Sequence, residues 1–323
     1  MLKYIVRRVF QMVPVFLGVT VLLFVLTVVL PGDPIAMRMG ERNMTDAQRA
    51  SISKALGLDK PLYVQYGDYL VRLSKGDLGE SSRARRPVLQ IFNDLYPNTV
   101  KLALAAIVIE ILIGIGAGII SAIKRYSFLD VLVTLSTSIL VSLPVFWLGL
   151  MMQLLFGIKF KEWGLPYLPV VNMTGGGLPD WTHMVMPAIV LASVSTAYTA
   201  RIMRSQLLEV MNQDYIRTAQ AKGLSNRAVI WKHGLKNAMI PVVTFIGLDL
   251  GAMMSGAILT ETVFNWPGIG FVIARAAFSL DYPVLFGCTV IILLAVLVIN
   301  LLVDVSYAFL DPRIRVGGGS TGE

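Results

Sequence analysis

The sequence predicts an all-α membrane protein with six transmembrane helices, and three observations carry that prediction. Of 323 residues, 55% are hydrophobic and only 15% charged, and the mean hydropathy is +0.69, too apolar for an ordinary soluble domain. Several charge-free windows reach the roughly 20 apolar residues needed to cross a bilayer core. Lys and Arg gather just beyond alternate windows, so the net charge of +8 reads as a positive-inside bias. The cations do not interleave with aromatics on a polar face; the expected surroundings are membrane lipid, with no nucleic acid. Cys288, the single cysteine, lies in an apolar run and reads as a small hydrophobe.

The spans are read at Val9–Leu30, Leu102–Ile123, Val131–Gly157, Met184–Ala200 continuing to about Ser205, Ala238–Thr260 and Pro283–Val303. Lys3, Arg7 and Arg8 precede the first and put the N-terminus in the cytoplasm. Lys124 and Arg125 follow the second span, a basic island follows the fourth, and Arg313 and Arg315 follow the sixth, so both termini fall on that side. The first apolar run is too long for a signal peptide, and Leu30-Pro31-Gly32-Asp33-Pro34 is no small-residue cleavage site, so it reads as a retained anchor. The expected organisation is 1–30 as N-terminus and first span, 31–98 as an external cap, 99–310 as a helical core with a cytoplasmic loop at 201–237, and 311–323 as a cytoplasmic tail.

In the cap, Thr45-Asp46-Ala47-Gln48 has the form of a capping box opening a helix that buries Ile52, Ala55 and Leu56. Pro61 opens a second helix with Leu62, Tyr66, Tyr69, Leu70 and Leu73 on one stripe, and Gly57 and Gly76 punctuate. Two readings stand: a small cap packed on the membrane helices, or a docking surface for an external partner.

The island Arg201–Pro241 holds seven Lys/Arg against two acids and is longer than a connector needs to be. Tyr215 to Ala221 forms a helical stretch, Gly223 breaks it in a left-handed conformation, and Asn226 to Asn237 resumes an amphipathic helix. An interfacial helix meeting anionic head groups accounts for its charges. It does not account for the alanine-rich, glycine-centred knuckle.

No Gly-x-x-x-x-Gly-Lys-Ser/Thr loop occurs, and His183 and His233 are the only histidines, without metal-site spacing. Catalytic residues, resident cofactors and metals are therefore not expected. Glu110 and Asp249 are acids within otherwise apolar spans. A lipid-facing carboxylate there costs about 2.5–3.5 kcal/mol, so both should face the bundle interior or a watery cavity, as pathway groups or as interhelical hydrogen-bonding groups. Gly247, Gly251, Ser255 and Gly256 leave room beside Asp249. Glu261, Phe264, Trp266, Pro267, Gly268 and Gly270 form a loop that either dips toward the pathway and meets an external receptor or simply turns between two spans.

Asp214-Tyr215-Ile216-Arg217-Thr218-Ala219-Gln220-Ala221-Lys222-Gly223-Leu224-Ser225, followed by His233-Gly234-Leu235-Lys236-Asn237-Ala238-Met239-Ile240-Pro241, resembles the coupling loop of ABC importer permeases. The likeness to the dipeptide/oligopeptide permease family extends through Leu30–Pro34, Leu56–Leu62, Gly76–Ser81, Thr260–Gly270, Asp281-Tyr282-Pro283 and Asp311–Arg315. The wider superfamily has Glu-Ala-Ala where this chain has Arg217-Thr218-Ala219, and the peptide branch commonly shows Arg-Thr-Ala. The resemblance implies a type I importer permease paired with a second permease, two ATPase subunits that carry ATP and Mg, and an extracytoplasmic binding protein, in a bacterial or archaeal cytoplasmic membrane. It implies that Tyr215, Arg217, Thr218, Ala219, Gln220, Ala221, Gly223 and Leu224 meet an ATPase. Peptide is the implied substrate, with glutathione, haem or nickel as the cargo of similar members. A secondary transporter using intramembrane acids is the rival reading, and the coupling loop argues against it.

Overall fold

The computed structural model describes residues 2–29, 50–51, 53–54, 59–170, 181–255 and 257–310. Among these residues the chain is helical with no strand, and Glu80 and Pro87 form one isolated bridge. Among the described residues five helices are long and apolar enough to cross a membrane, or six if one bent pair counts as a span. The capping box at 45–48 and the residues around Gly57 lie outside the described residues.

Helix α1, Leu2–Val29, crosses as a single apolar rod. Pro61 starts α2, Leu62–Ser74, as its fixed φ suits a helix start, and Gly76 ends it in the left-handed region at φ +74°. Tyr66 and Tyr69 of α2 lie against Phe24 of α1, with ring centroids 5.4 and 6.1 Å away. The Tyr66 and Thr20 hydroxyls are 3.0 Å apart. Leu73 joins Leu23, Phe286 and Val290, so α2 packs on the membrane helices.

The second span, α3, begins at Val88 rather than Leu102 and runs to Ile123. Its first turns escape a hydropathy reading because Gln90, Asn93 and Asp94 alternate with Val88, Ile91 and Phe92, which form a buried stripe. At 36 residues it is about 54 Å long at 1.5 Å per residue, well beyond the hydrocarbon core.

The third expected span is not one helix. It divides into α4, Phe128–Ser142, and α5, Val145–Glu162, bent by 105°. Pro144 has no N–H to give and drives Leu143 into extended backbone, at ψ 133°. Helix α6 is Trp181–Met211 and α7 is Asp214–Ala221. The fifth span, α8, is Asn226–Met254 and stops short of the expected Thr260. Beyond it α9, Ile258–Val263, and α10, Ile269–Phe278, form a short pair, and α11, Tyr282–Leu310, closes the described chain.

The long α6 is the most buried span and touches α3, α4, α5 and α8. Close approach to α3 depends on Gly114 and Gly118, one turn apart. A Cβ on Gly114 would press on Thr199, and one on Gly118 would lie 2.6 Å from the Ala200 carbonyl oxygen and from Met203. Among the described residues three π-helical turns interrupt the spans, at Glu110–Ile115, Gln153–Lys159 and Val229–Gly234. Each holds a glycine at a tight contact: Gly114 on Thr199, Gly157 on Val170 and Gly234 on Met211.

Gly118→Val forces backbone or Met203 to move, and overpacking of this kind costs about 1–3 kcal/mol. Thermal melting of the purified protein in detergent should show a clear loss of stability. An unchanged melting temperature would remove Gly118 from the packing argument.

Candidate functional site

The knuckle after α6 is built as the sequence predicts, and the structure gives the reasons. Helix α7 ends in a Schellman turn: the Leu224 N–H donates to the Ala219 carbonyl at 3.4 Å and the Gly223 N–H to the Gln220 carbonyl at 2.9 Å. Gly223 supplies the left-handed residue, at φ +78°. The Ser225 hydroxyl then accepts from the Ala228 N–H at 3.3 Å and starts α8. Ile216, Ala219 and Val229 are buried together against Met211, the last residue of α6. The Asn237 side-chain amide donates to the Tyr215 hydroxyl at 2.9 Å, tying α7 across to α8.

One face of this knuckle is spent on that packing and the other is open. Arg217, Thr218, Gln220, Ala221, Gly223 and Leu224 are exposed, as are the cations Lys222, Arg227, Lys232 and Lys236. Tyr215, Leu224 and Trp231 present apolar surface among them, at 41%, 41% and 55% exposure. Arg217 has only a long contact of 3.4 Å to Asp214, itself exposed, which contributes little. Ala219 alone of the expected coupling residues faces inward. The open face carries aromatic, aliphatic and arginine side chains, types enriched in protein–protein interfaces, beside three lysines, a type depleted there.

The two intramembrane acids come together. Glu110, in the π-helical turn of α3, is fully buried and its Oε1 accepts from the Thr199 hydroxyl of α6 at 2.5 Å. Asp249 of α8 lies against the same carboxyl and is only partly buried. Glu110 is thus sealed among α3, α6 and α8, which fits the interhelical role, and Asp249 is the more open of the two. The room expected beside Asp249 is taken: a Cβ on Gly247 would lie 3.2 Å from Val303 and one on Gly251 3.1 Å from Ile299, both on α11. Gly256 lies outside the described residues.

The loop at 261–270 is a buried knot. Glu261 is completely enclosed, and Phe264 and Trp266 are 2% and 1% exposed, so in this chain they are packing residues rather than an open receptor face. Glu261 Oε1 accepts from the Thr99 hydroxyl at 2.7 Å and Oε2 from the Phe271 N–H at 2.9 Å; Thr99 in turn accepts from the Ile269 N–H at 2.8 Å. The carboxyl therefore caps the first turn of α10 and fastens it to α3. Burial pushes its pKa up, and the Thr99 hydroxyl and the backbone N–H groups of Phe271 and Gly270 oppose that. A Cβ on Gly268 would overlap the carboxylate, which accounts for the glycine after Pro267. The Trp266 indole N–H donates to the Asn98 carbonyl at 3.1 Å, and the Asn98 amide to the Pro267 carbonyl at 2.9 Å.

Sequence reasoning passed over one cluster, Asp130 with Arg204 and Ser121. The available signal was Ser127-Phe128-Leu129-Asp130, the Ser-x-x-Asp form of a helix start; the Ser127 N–H goes to the Lys124 carbonyl, so the Asp130 carboxyl is left for Ser121, Tyr126 and Arg204.

Removing the Glu261 carboxyl leaves the Phe271 N–H and the Thr99 hydroxyl without their acceptor, a loss of about 1–3 kcal/mol per buried group. Glu261→Ala should therefore lower the melting temperature sharply and Glu261→Gln, which keeps one acceptor, much less. Equal effects would discard the capping role.

Against this geometry, comparison with known proteins is direct. Residues 114–316 match the family model of the binding-protein-dependent transport system inner membrane component, and residues 1–103 match the N-terminal model of such membrane components. The chain is 40% identical over 333 residues to the di/tripeptide transport system permease protein DppB of Pseudomonas aeruginosa, covering 98% of this chain and 99% of that protein. It is 39% identical over 336 residues to the dipeptide transport system permease protein DppB of Escherichia coli K12, covering 98% and 99%. The oligopeptide transport system permease protein AppB of Bacillus subtilis is 37% identical over 316 residues, covering 98% and 100%. Among solved structures, a chain of the inward-facing MetNI methionine ABC transporter superposes with TM-score 0.55 at 15% identity, covering 69% of this chain and 97% of that one, which shows the shared fold. An all-helical, multi-span chain matched by the family model across its core and by relatives along nearly its whole length, it belongs to the binding-protein-dependent transport system inner membrane components, in their dipeptide/oligopeptide ABC permease branch.

Proposed function

We propose that this chain is one of two permease subunits of an ATP-driven importer that carries di- or oligopeptides into the cytoplasm. An extracytoplasmic binding protein delivers the peptide, two ATPase subunits bind and hydrolyse ATP with magnesium, and α7 with Gly223 and Leu224 is where one of them docks. The observation that carries this reading is the knuckle itself: a short helix braced against the end of α6 and the start of α8, yet open on its charged and aromatic face. Gating by rigid-body movement needs a stiff element between two moving bodies, and this one is stiff by construction. The names of the full-length relatives favour peptide as cargo. Both termini and the knuckle lie in the cytoplasm, and α2 lies outside.

Gly223 sits in open space, so a side chain there meets nothing; the penalty is the left-handed backbone alone. A β-branched residue is a severe misfit in that region and asparagine is tolerated. Gly223→Val should keep ATP hydrolysis while losing most binding-protein-stimulated uptake in proteoliposomes, and Gly223→Asn should retain much of it. Wild-type uptake in an assembled Gly223→Val transporter would defeat the coupling role.

Orientation is tested by labelling. In a Cys288→Ser background, a cysteine at Lys75 should react with an impermeant thiol reagent in spheroplasts, and one at Arg227 only after the membrane is opened. Reaction of position 227 in sealed spheroplasts would invert the proposed topology.

A further inference from the structure

The Asp130 carboxyl, buried at the start of α4, is gripped from three directions. The Ser121 hydroxyl, in the last turns of α3, donates to Oδ1 at 2.5 Å, and the Tyr126 N–H, in the turn, donates to Oδ2 at 2.9 Å. From α6 the Arg204 guanidinium reaches both oxygens, Nε to Oδ1 at 2.7 Å and Nη2 to Oδ2 at 2.9 Å, and Nε also donates to Ser121 at 3.0 Å. Tyr126 holds a left-handed φ of +65°, a conformation that aims its N–H at the carboxylate. One turn earlier on α6, Arg201 donates to the hydroxyls of Thr137 and Ser138 on α4, at 3.3 and 2.8 Å.

Position gives this cluster its meaning. Arg204 stands seven residues before the end of α6 at Met211, about 10 Å along the axis. The neighbouring α6 residues Met203 and Leu207 pack on Ala122, Ala238 and Val242, and Met211 passes that packing on to Ile216, Ala219 and Val229 of the knuckle. Contacts between small and aliphatic side chains are non-directional and leave small shear movements open. A forked guanidinium on a carboxylate does not, because two parallel bonds fix height and rotation together. The pair is half open, with the Arg204 side chain 30% exposed, so it is poor evidence for stability; the best-attested use of such a pair is to fix one arrangement among several.

We propose that Asp130, Arg204 and Ser121 form the joint that makes α3, α4 and α6 turn as one body when the knuckle is displaced. They are positioning residues and touch no substrate. The proposal rests on the knuckle being the coupling element, and the experiment separates the two.

The complete transporter, reconstituted with its ATPases and binding protein, is compared as wild type, Asp130→Asn, Ser121→Ala, Arg204→Lys and Gly223→Val. ATPase co-purification, ATP hydrolysis and uptake are measured, together with the distance between spin labels at Leu132 on α4 and Glu209 on α6, with and without nucleotide. In wild type that distance should stay constant through the cycle. Asp130→Asn should bind its ATPases and hydrolyse ATP, yet lose about 5-fold or more of its uptake per ATP, as expected for a broken coupling contact, and its label distance should become nucleotide-dependent. Where Asp130→Asn does not assemble, Ser121→Ala and Arg204→Lys, which keep the carboxylate and remove only part of the cluster's bonding, should show the same change in smaller measure. Unchanged uptake per ATP with an unchanged label distance in the assembled variants overturns the joint. If Gly223→Val uncouples and the cluster variants do not, only the joint falls; if Gly223→Val also stays coupled, the knuckle reading falls with it.

Discussion

The close approach of α6 to its neighbours is the constraint on which the other features depend. Lipid tails are as apolar as leucine, so helices in a membrane gain little by hiding hydrophobic surface from one another. They associate through close packing and hydrogen bonds. Here Gly114 and Gly118 bring α3 onto the backbone of α6 at Thr196 and Ala200, and Ala103, Ala106 and Ala192 fill the layer toward α8. Once α6 is central, Thr199 can reach Glu110, Arg204 can reach Asp130, and Met211 is delivered to the knuckle.

That arrangement explains how an exposed element can be precise in position. The knuckle does not depend on the membrane surface to hold it; it is fixed by a left-handed glycine, a capped helix start and a small buried cluster shared with α6. At the opposite end of the bundle a second knot does similar work, with Glu261 joining α10 to α3, and Ser81 and the Ser82 N–H held by the buried Asp281 before α11. In each of these two knots buried polar groups at a helix end hold the direction of the next helix.

Much of this was legible in the sequence because the relevant signals are local. The knuckle was readable since an alanine-rich helix, a single glycine and a serine cap specify their own conformation, and the helix after Pro61 was readable for the same reason. The extent of α3 was not, because its first turns pay their way through an amphipathic stripe that a hydropathy window averages away. The break in the third span was signalled by Pro144, but whether a proline kinks or divides a helix is decided by packing, here Gln153 bonding the carbonyls of Val170 and Val263. The burial of Trp266 and the partnership of Asp130 with Arg204 join residues far apart in the chain, and no periodicity encodes such a meeting.

On the proposed function, the open face of the knuckle is a protein-docking surface rather than an interfacial helix resting on lipid head groups. A photo-reactive amino acid placed at Leu224 or at Trp231, both exposed and outside the packed cluster, tests it in the membrane-embedded complex. A docking surface should give crosslinks to an ATPase subunit from both positions, in yields that change when nucleotide is added. Crosslinks to lipid alone, with the ATPases present and bound, would contradict it.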